Sequence, residues 1–212
     1  NILYEGEPIF TLPSGAVYWT GCRNQPCIYL DDFLNVRAGE LGATAIRDFW
    51  AIKSPAVLNP PQAHLENKEA RYCPELCWVN SNSMFPSIPN ITDAALYRRR
   101  DCLVEVKMKP ILIENGFVNM TDKRTELNLF LTQHKINKNR FEHLDFYIAQ
   151  VESNPSTLFN GPYNFVQFQS LLQKKFGDYH FGQQTLYESR HREYEALMQR
   201  LPDECTSLSS IK

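Results

Sequence analysis

The sequence "DCLVEVKMKP", residues 101–110, is the stretch on which the predicted fold depends. In an extended chain, residues two positions apart point to the same side. The charged residues Glu105, Lys107 and Lys109 therefore share one face of a predicted strand, and the apolar residues between them share the other. A polar face of this kind usually lies against water or phosphate groups. The stretch thus predicts a strand whose charged face is exposed to water or to phosphate groups.

The length and composition of the chain predict a folded protein. Its 212 residues, of which 43% are apolar, suffice for the core of one large domain or two small lobes. No apolar run approaches the roughly 18 residues of a membrane span. The first residues also lack the charged-then-apolar order of a secretory signal. With a mean hydropathy of -0.40, we expect a soluble protein with no membrane partner.

The cysteines leave a noncatalytic extracellular domain open as an alternative. There are six of them, an even number, and Asn90 and Asn119 each begin a possible glycosylation sequence. Six cysteines are few for a disulfide scaffold of this length. The spacings Cys22-x4-Cys27 and Cys73-x3-Cys77 also differ from the tight C-x2-C that is typical of zinc sites. Buried free thiols are the favoured interpretation.

Periodic apolar residues and turn residues predict the elements on either side of this strand. Residues 1–30 alternate short apolar runs with turns, which is typical of an antiparallel hairpin or meander. A second hairpin is expected from residues 91–97 and 102–108. Helical spacing predicts helices over 39–52, from 121 to 134, over 165–176 with Gly177 ending it, and over 187–201. A final strand is expected over 205–211.

One alternative function follows from the second hairpin alone. An acid on one strand and Glu-x-Lys on the next is the arrangement of metal-dependent nucleases. Asp93 and Glu105 would hold magnesium, and Lys107 would steady the attacking water. Exposed charges on an ordinary hairpin give the same pattern.

Short motifs occur in a fixed order along most of the chain. They are "NILYEGEP" (1–8), "AVYWTGCR" (16–23), "PNIT" (89–92), "VEVKMK" (104–109), "QHK" (133–135), "LFNG" (158–161), "ALM" (196–198) and "PDEC" (202–205). In this order the chain resembles the inositol-pentakisphosphate 2-kinase family, especially its short fungal-type form. The family's signature strand "VEIKPK" corresponds to residues 104–109.

The resemblance implies an α/β (α+β) protein with the two-lobed inositol polyphosphate kinase fold. An N-lobe with an antiparallel sheet would span residues 1–88, and a C-lobe with a mixed sheet and helices would span 89–212. The family's glycine-rich loop and its later "DxDxKP" strand have no counterpart in the sequence. Both departures bear on catalysis, because the loop and the strand bind nucleotide, metal and substrate in that family.

The activity implied is transfer of the ATP γ-phosphate to the 2-hydroxyl of inositol 1,3,4,5,6-pentakisphosphate, which gives phytate. ATP and Mg²⁺ would be the cofactors. The protein would be a monomer in the nucleus or cytoplasm, with no nucleic-acid partner. Phosphoryl transfer depends mainly on positioning and charge neutralisation, which suits cationic side chains.

The resemblance also implies a role for each candidate site residue. Asp203 would be the catalytic acceptor of the hydroxyl proton or the metal ligand, and Lys107 would hold the ATP phosphates. Lys109 and Lys135 would bind the inositol phosphates. The remaining nucleotide-binding candidates are Arg23, Asn90, Asp93 and Glu105.

Overall fold

A computed structural model describes residues 6–13, 15–23, 25–34, 40–54, 58–63, 72–88, 91–118 and 123–199. The chain divides into two compact units. Unit 1 comprises residues 1–105 with 148–160, and unit 2 comprises 106–147 with 161–212. The lobe boundary expected after residue 88 stays a prediction. The described residues combine helices with small sheets, so the α/β class is confirmed at this level.

Unit 1 contains a parallel sheet of three strands in the order β1 (Ile9–Leu12), β2 (Cys27–Leu30) and β3 (Leu76–Val79). Ile9 pairs with Cys27, and Cys27 with Leu76. The antiparallel sheet expected for an N-lobe is therefore wrong. Parallel neighbours need a crossover connection, and residues 13–26 and 31–75 are long enough to provide one. The second of these connections contains helix α1 (Glu40–Ile52), as predicted.

The core of unit 1 lies against one face of this sheet. Trp19, Ile28 and Ile46 are its most deeply buried large side chains. They come from the β1–β2 connection, from the central strand and from α1. The strands alternate in burial along their length, since side chains two apart share a face.

The second predicted hairpin is wrong, because residues Asp93–Tyr97 form a helix, α2. Its last two residues, Leu96 and Tyr97, are buried, and the Tyr97 hydroxyl donates to the carbonyl of Pro86 at 3.1 Å. The apolar run that resembled a strand thus buries one side of a single helical turn. Strand β4 (Val104–Met108) follows where a strand was predicted.

The remaining elements follow β4. A second three-stranded sheet has the order β4, β5 (Leu144–Ala149) and β6 (Phe159–Tyr163). Helices α3 (Pro110–Glu114) and α4 (Arg124–Gln133) lie in unit 2. Around them Leu112, Phe117, Leu127 and Leu131 form a small core. Helix α4 lies within the helix predicted for this region.

Helix α5 (Phe165–Met198) replaces the two helices predicted for its region. Asn164 and Gln167 form a capping box at its start. The helix continues through Gly177, because a glycine in an exposed helix costs only about 1 kcal/mol. Phe168 is its one buried residue, and most of the helix is exposed. The predicted strand over 205–211 lies outside the described residues.

Two further predictions concern membranes and cysteines. In the part of the chain that the structure describes, no helix is both long and apolar enough to cross a bilayer. The cysteines described there are free thiols: Cys22 is buried, Cys73 is exposed, and Cys27, Cys77 and Cys102 are half-buried. The expectation of free thiols is confirmed for these five. The expectation that the thiols are buried is confirmed only for Cys22.

Candidate functional site

The three parallel strands of unit 1 end side by side. Leu12 pairs with Leu30, and Leu30 pairs with Val79, so the carboxyl ends of β1, β2 and β3 form one edge of the sheet. In open α/β sheets, ligands bind at this edge. Asp31 and Asp32 follow β2 directly, and Asn80 follows β3.

The carboxylate of Asp31 is held by three donors on one of its oxygens. Oδ1 accepts the Tyr29 hydroxyl at 2.8 Å, the Asn80 side-chain amide at 3.1 Å and the backbone N–H of Asp32 at 3.0 Å. Oδ2 accepts no hydrogen bond from the residues described. Asp31 is exposed at the sheet edge. One oxygen is therefore held by the protein, and the other is left without a donor from the described residues, as a potential ligand atom.

These bonds favour the ionised form of Asp31. The pKa of its carboxyl is lowered, first by the hydrogen bond from Tyr29 and then by the one from Asn80, because donors stabilise the charged form. The pKa of the Tyr29 hydroxyl is raised in turn, chiefly by the same bond to Asp31. A negatively charged oxygen at a sheet edge attracts cations.

Backbone hydrogen bonds fix the position of Asn80. Its N–H donates to the carbonyl of Leu30 at 2.9 Å, and its own carbonyl accepts the N–H of Phe33 at 2.8 Å. The Ser81 hydroxyl then donates to the carbonyl of Phe33 at 2.7 Å. The pairing of β2 with β3 thus continues into the two loops. The Asn80 amide consequently reaches Asp31 from a backbone that is held on both sides.

Two cavities in unit 1 open near these loops. A narrow one beside Asp31 has a volume of about 10 Å³, which is room for about one water. It also contacts Asp48, whose pKa is raised by burial. A larger cavity of about 270 Å³ is lined by Leu34, Gly42, Ser83, Phe85, Pro86, Ser87 and Ile88.

The donor set at this edge suits a hard divalent cation. Carboxylate oxygens are the ligands that Mg²⁺ prefers, and Mg²⁺ usually keeps several waters and uses only one or two protein carboxylates. Among the described residues, no group of three or more His, Cys, Asp or Glu side chains could hold a metal ion. An all-protein metal cage is therefore not found there. A site with one ligating carboxylate and an open coordination shell fits the geometry of Asp31.

The sequence around this edge is similar to a helicase family. Residues 2–83 match the family model described as RNA helicase, and this range contains β1, β2 and β3 with Asp31 and Asn80.

Two curated relatives are viral polyproteins. The genome polyprotein of Deformed wing virus is 39% identical over 90 residues, which cover 42% of this chain and 3% of the polyprotein. The genome polyprotein of Ectropis obliqua picorna-like virus is 33% identical over 111 residues, which cover 51% of this chain and 4% of that polyprotein. The chain thus spans a small fraction of the length of these relatives.

These findings overturn the kinase interpretation. The motifs at residues 1–8 and 16–23, which were matched to the nucleotide loop and following strand of inositol-pentakisphosphate 2-kinase, lie almost wholly within the region similar to RNA helicases. The expected inositol phosphate substrate, phytate synthesis and absence of a nucleic-acid partner are wrong for the same reason. The motifs were short, and a run of short matches carries little information about a whole fold.

The nuclease interpretation is also wrong. It required Asp93 and Glu105 on neighbouring strands, but Asp93 is the first residue of helix α2. Its charge lies in the first turn, where an acid interacts favourably with the helix dipole. The comparisons with viral polyproteins and RNA helicases give no support to a nuclease either.

The predicted site residues belong to several different elements of the chain. Arg23 is exposed in the β1–β2 connection, and its backbone N–H donates to Gln25 Oε1 at 2.7 Å. Asp93 is half-buried at the start of α2, and Glu105 is half-buried in β4. Asn90 and Asp203 lie outside the described residues.

The three predicted lysines lie in unit 2. Lys107 is exposed on β4, with Nζ 5.0 Å from the ring centroid of Tyr147, a cation–π contact. Lys109 lies beyond the strand as the N-cap of α3, so the shared face ends at Lys107. Lys135 is exposed just after α4. Their kinase roles depended on the resemblance and are no longer proposed.

Sequence reasoning missed the site at the end of β2. The signal was present as "CIYLDD", residues 27–32, in which a short apolar run stops at two acids. A second signal was "LCWVNSN", residues 76–82, in which a similar run stops at an amide. Neither is specific by itself. Only the parallel pairing of the two strands places Asp31 and Asn80 together.

Proposed function

We propose that this chain is part of an NTP-dependent RNA helicase within a viral polyprotein. In this role, Asp31 binds Mg²⁺ at the carboxyl edge of the parallel sheet, where the phosphates of ATP also bind. The proposal is supported by the match of residues 2–83 to the RNA helicase family. The observation that carries it is the exposed carboxylate of Asp31, with Oδ1 held by three donors and no described donor on Oδ2.

The chemistry of NTP hydrolysis explains why such a residue is needed. Many NTP-hydrolysing proteins hold Mg²⁺ with an aspartate at the end of a buried strand, and the metal neutralises charge on the β- and γ-phosphates. Asp31 has this position after β2, and the lowered pKa of its carboxyl favours the charged form. The sequence G-x-x-x-x-G-K-[S/T] does not occur in the 212 residues, so we assign no phosphate-binding loop.

RNA is the proposed nucleic-acid partner. The chain has a formal net charge of -2, so phosphate binding must rely on local clusters of positive charge. Arg98, Arg99 and Arg100 form one such cluster directly after α2. Arg99 and Arg100 lie over aromatic rings, at 5.0 Å from Trp50 and 4.8 Å from Tyr97 respectively. Arg98 is exposed and has the freest access to a phosphate.

The metal site is tested with Mn²⁺ in place of Mg²⁺. Isotope-labelled protein is titrated with substoichiometric MnCl2, and the loss of backbone amide signals is followed by NMR. We expect the amides of residues 30–33 and 79–82 to broaden first, and Asp31→Asn to abolish this pattern. Asp178→Asn, which removes an exposed acid from α5, serves as the control and should leave the pattern unchanged. Broadening centred elsewhere, or unchanged by Asp31→Asn, contradicts the proposal.

RNA binding is tested separately by fluorescence anisotropy. A labelled single-stranded RNA should bind, with an affinity that falls as salt rises. Arg98→Gln should weaken binding, and Lys174→Gln on α5 is the matched control of the same charge change. A lack of binding at low salt, or equal losses in both variants, counts against RNA as the partner of this surface.

A further inference from the structure

Tyr29 and Asn80 hold the carboxylate of Asp31 from two strands. Tyr29 lies two residues before Asp31, so the two side chains extend on the same side of the chain. Asn80 approaches from the end of the neighbouring strand. Both side chains donate to the same oxygen, Oδ1, at 2.8 and 3.1 Å. A free carboxylate would rotate, and either oxygen could then face a cation.

We propose that Tyr29 and Asn80 are positioning residues that present Oδ2 of Asp31, and only Oδ2, to the divalent cation. The inference rests on the proposed metal function of Asp31 and extends it to two side chains that touch neither metal nor nucleotide. With both donors in place, Oδ1 is saturated by three hydrogen bonds. The carboxylate therefore acts as a ligand through one oxygen in a fixed direction, which suits the strict octahedral geometry of Mg²⁺.

Two backbone hydrogen bonds hold Asn80 in place beside Asp31. Its N–H donates to the carbonyl of Leu30 and its carbonyl accepts the N–H of Phe33, so the backbone that carries the amide is held on both sides. Tyr29 lies within β2 and is half-buried there. Groups that orient a metal ligand typically change metal affinity about 10–100-fold when removed. These two residues have the geometry of such groups.

Tyr29→Phe and Asn80→Ala test the proposal with the full chain. Tyr29→Phe removes the hydroxyl and keeps the ring, and Asn80→Ala keeps both backbone hydrogen bonds of residue 80. Mn²⁺ affinity is read from the broadening of the amides of residues 30–33, and the ¹³C shift of the Asp31 carboxyl reports its hydrogen bonding without any metal. Tyr18→Phe, which removes an exposed hydroxyl elsewhere in unit 1, is the control.

We expect Mn²⁺ to bind about tenfold more weakly in each variant, and more weakly still in the double variant. The Asp31 carboxyl shift should change in both single variants, whereas Tyr18→Phe should match the wild type. A purely structural role would lower the melting temperature without moving the carboxyl shift.

The outcomes separate the two proposals. If the wild type binds Mn²⁺ at Asp31 and both variants bind it equally well, the positioning role is overturned and the metal function stands. If the carboxyl shift stays unchanged in both variants, the positioning role is also overturned. If the wild type shows no Mn²⁺ at Asp31, the metal function itself is overturned, and the positioning role with it.

Discussion

The ring of Phe146 in β5 stacks on the ring of Phe168 in α5, with centroids 4.5 Å apart and planes 9° apart. Both side chains are buried within unit 2. This contact joins the first turn of a long exposed helix to a strand. The stacked pair is therefore one apolar attachment of α5 to the rest of the unit, next to the ring contacts of Phe165 with Phe141 and Phe146.

Phe168→Ala is expected to destabilise unit 2 by about 3–5 kcal/mol, since it removes a buried aromatic ring and leaves a cavity. Urea unfolding followed by circular dichroism measures the loss. Phe181→Ala is the matched control, because Phe181 lies on the same helix and is 74% exposed. The control should change stability by no more than about 0.5 kcal/mol. Similar losses in both variants would contradict the attachment.

Gly161 and Gly177 are expected to respond to alanine with opposite signs. At Gly161, φ is +147°, and an added Cβ would lie 2.7 Å from the carbonyl oxygen of Phe146. Gly161→Ala should therefore cost about 2–3 kcal/mol of stability. At Gly177 an added methyl meets no atom within 4 Å, so Gly177→Ala in the exposed helix should stabilise by about 0.5–1 kcal/mol. Thermal unfolding measures the stability change in each variant. A change of the same sign in both variants would contradict this prediction.

Lys135 should tolerate glycine better than alanine. Its φ of 56° is left-handed, and it occupies the position just after the C-cap of α4, where glycine is the preferred residue. Lys135→Gly should be about 1 kcal/mol more stable than Lys135→Ala, because only glycine avoids the left-handed penalty. Denaturant midpoints of the two variants give the comparison. A more stable alanine variant would mean that the backbone there is not left-handed in solution.

His143 should make the stability of the protein fall in mild acid. It is buried, its Nδ1 has no hydrogen-bond partner among the described residues, and its pKa is lowered, first by burial and then by the charge of Lys138. The unfolded state therefore takes up the proton first. Stability is retained above the unfolded pKa of about 6.5 and is lost as pH falls from there towards the folded pKa.

The comparison of His143→Phe with the wild type isolates this effect. Phenylalanine keeps an aromatic ring beside Phe141, which contacts His143, and cannot take up a proton. Urea unfolding at several pH values between 8 and 5 should show a smaller acid loss in the variant. Identical pH dependence in the two proteins would show that His143 does not contribute.

Local patterns in the sequence predicted several elements and their positions. Helix α1 ends at Ile52 as the apolar spacing indicated, and β4 lies within the stretch read as a strand. Helix α5 begins at Phe165, as predicted, but passes Gly177, because exposed glycine weakens a helix without ending it. These features depend on residues that are close together in the chain, and the spacing of apolar residues reflects such local structure.

The direction of strand pairing and the site depend on contacts between distant residues. Asp31 and Asn80 are 49 positions apart, and only the parallel register of β2 and β3 brings them together. No spacing in the sequence encodes that register. The Asp93 hypothesis was wrong for a related reason, since a short segment with few apolar residues fits a strand and a short helix equally well.

The pairing of β2 with β3 has a further consequence for how the protein tolerates change. If β3 slipped along β2 by one residue, Asn80 would move by about 3.3 Å and its side chain would turn to the opposite face. Asp31 would keep its place in the chain but lose its second donor. Substitutions in the four paired residues of either strand that shift this register therefore remove the hydrogen bond from Asn80 to Asp31, although neither of these two residues is changed.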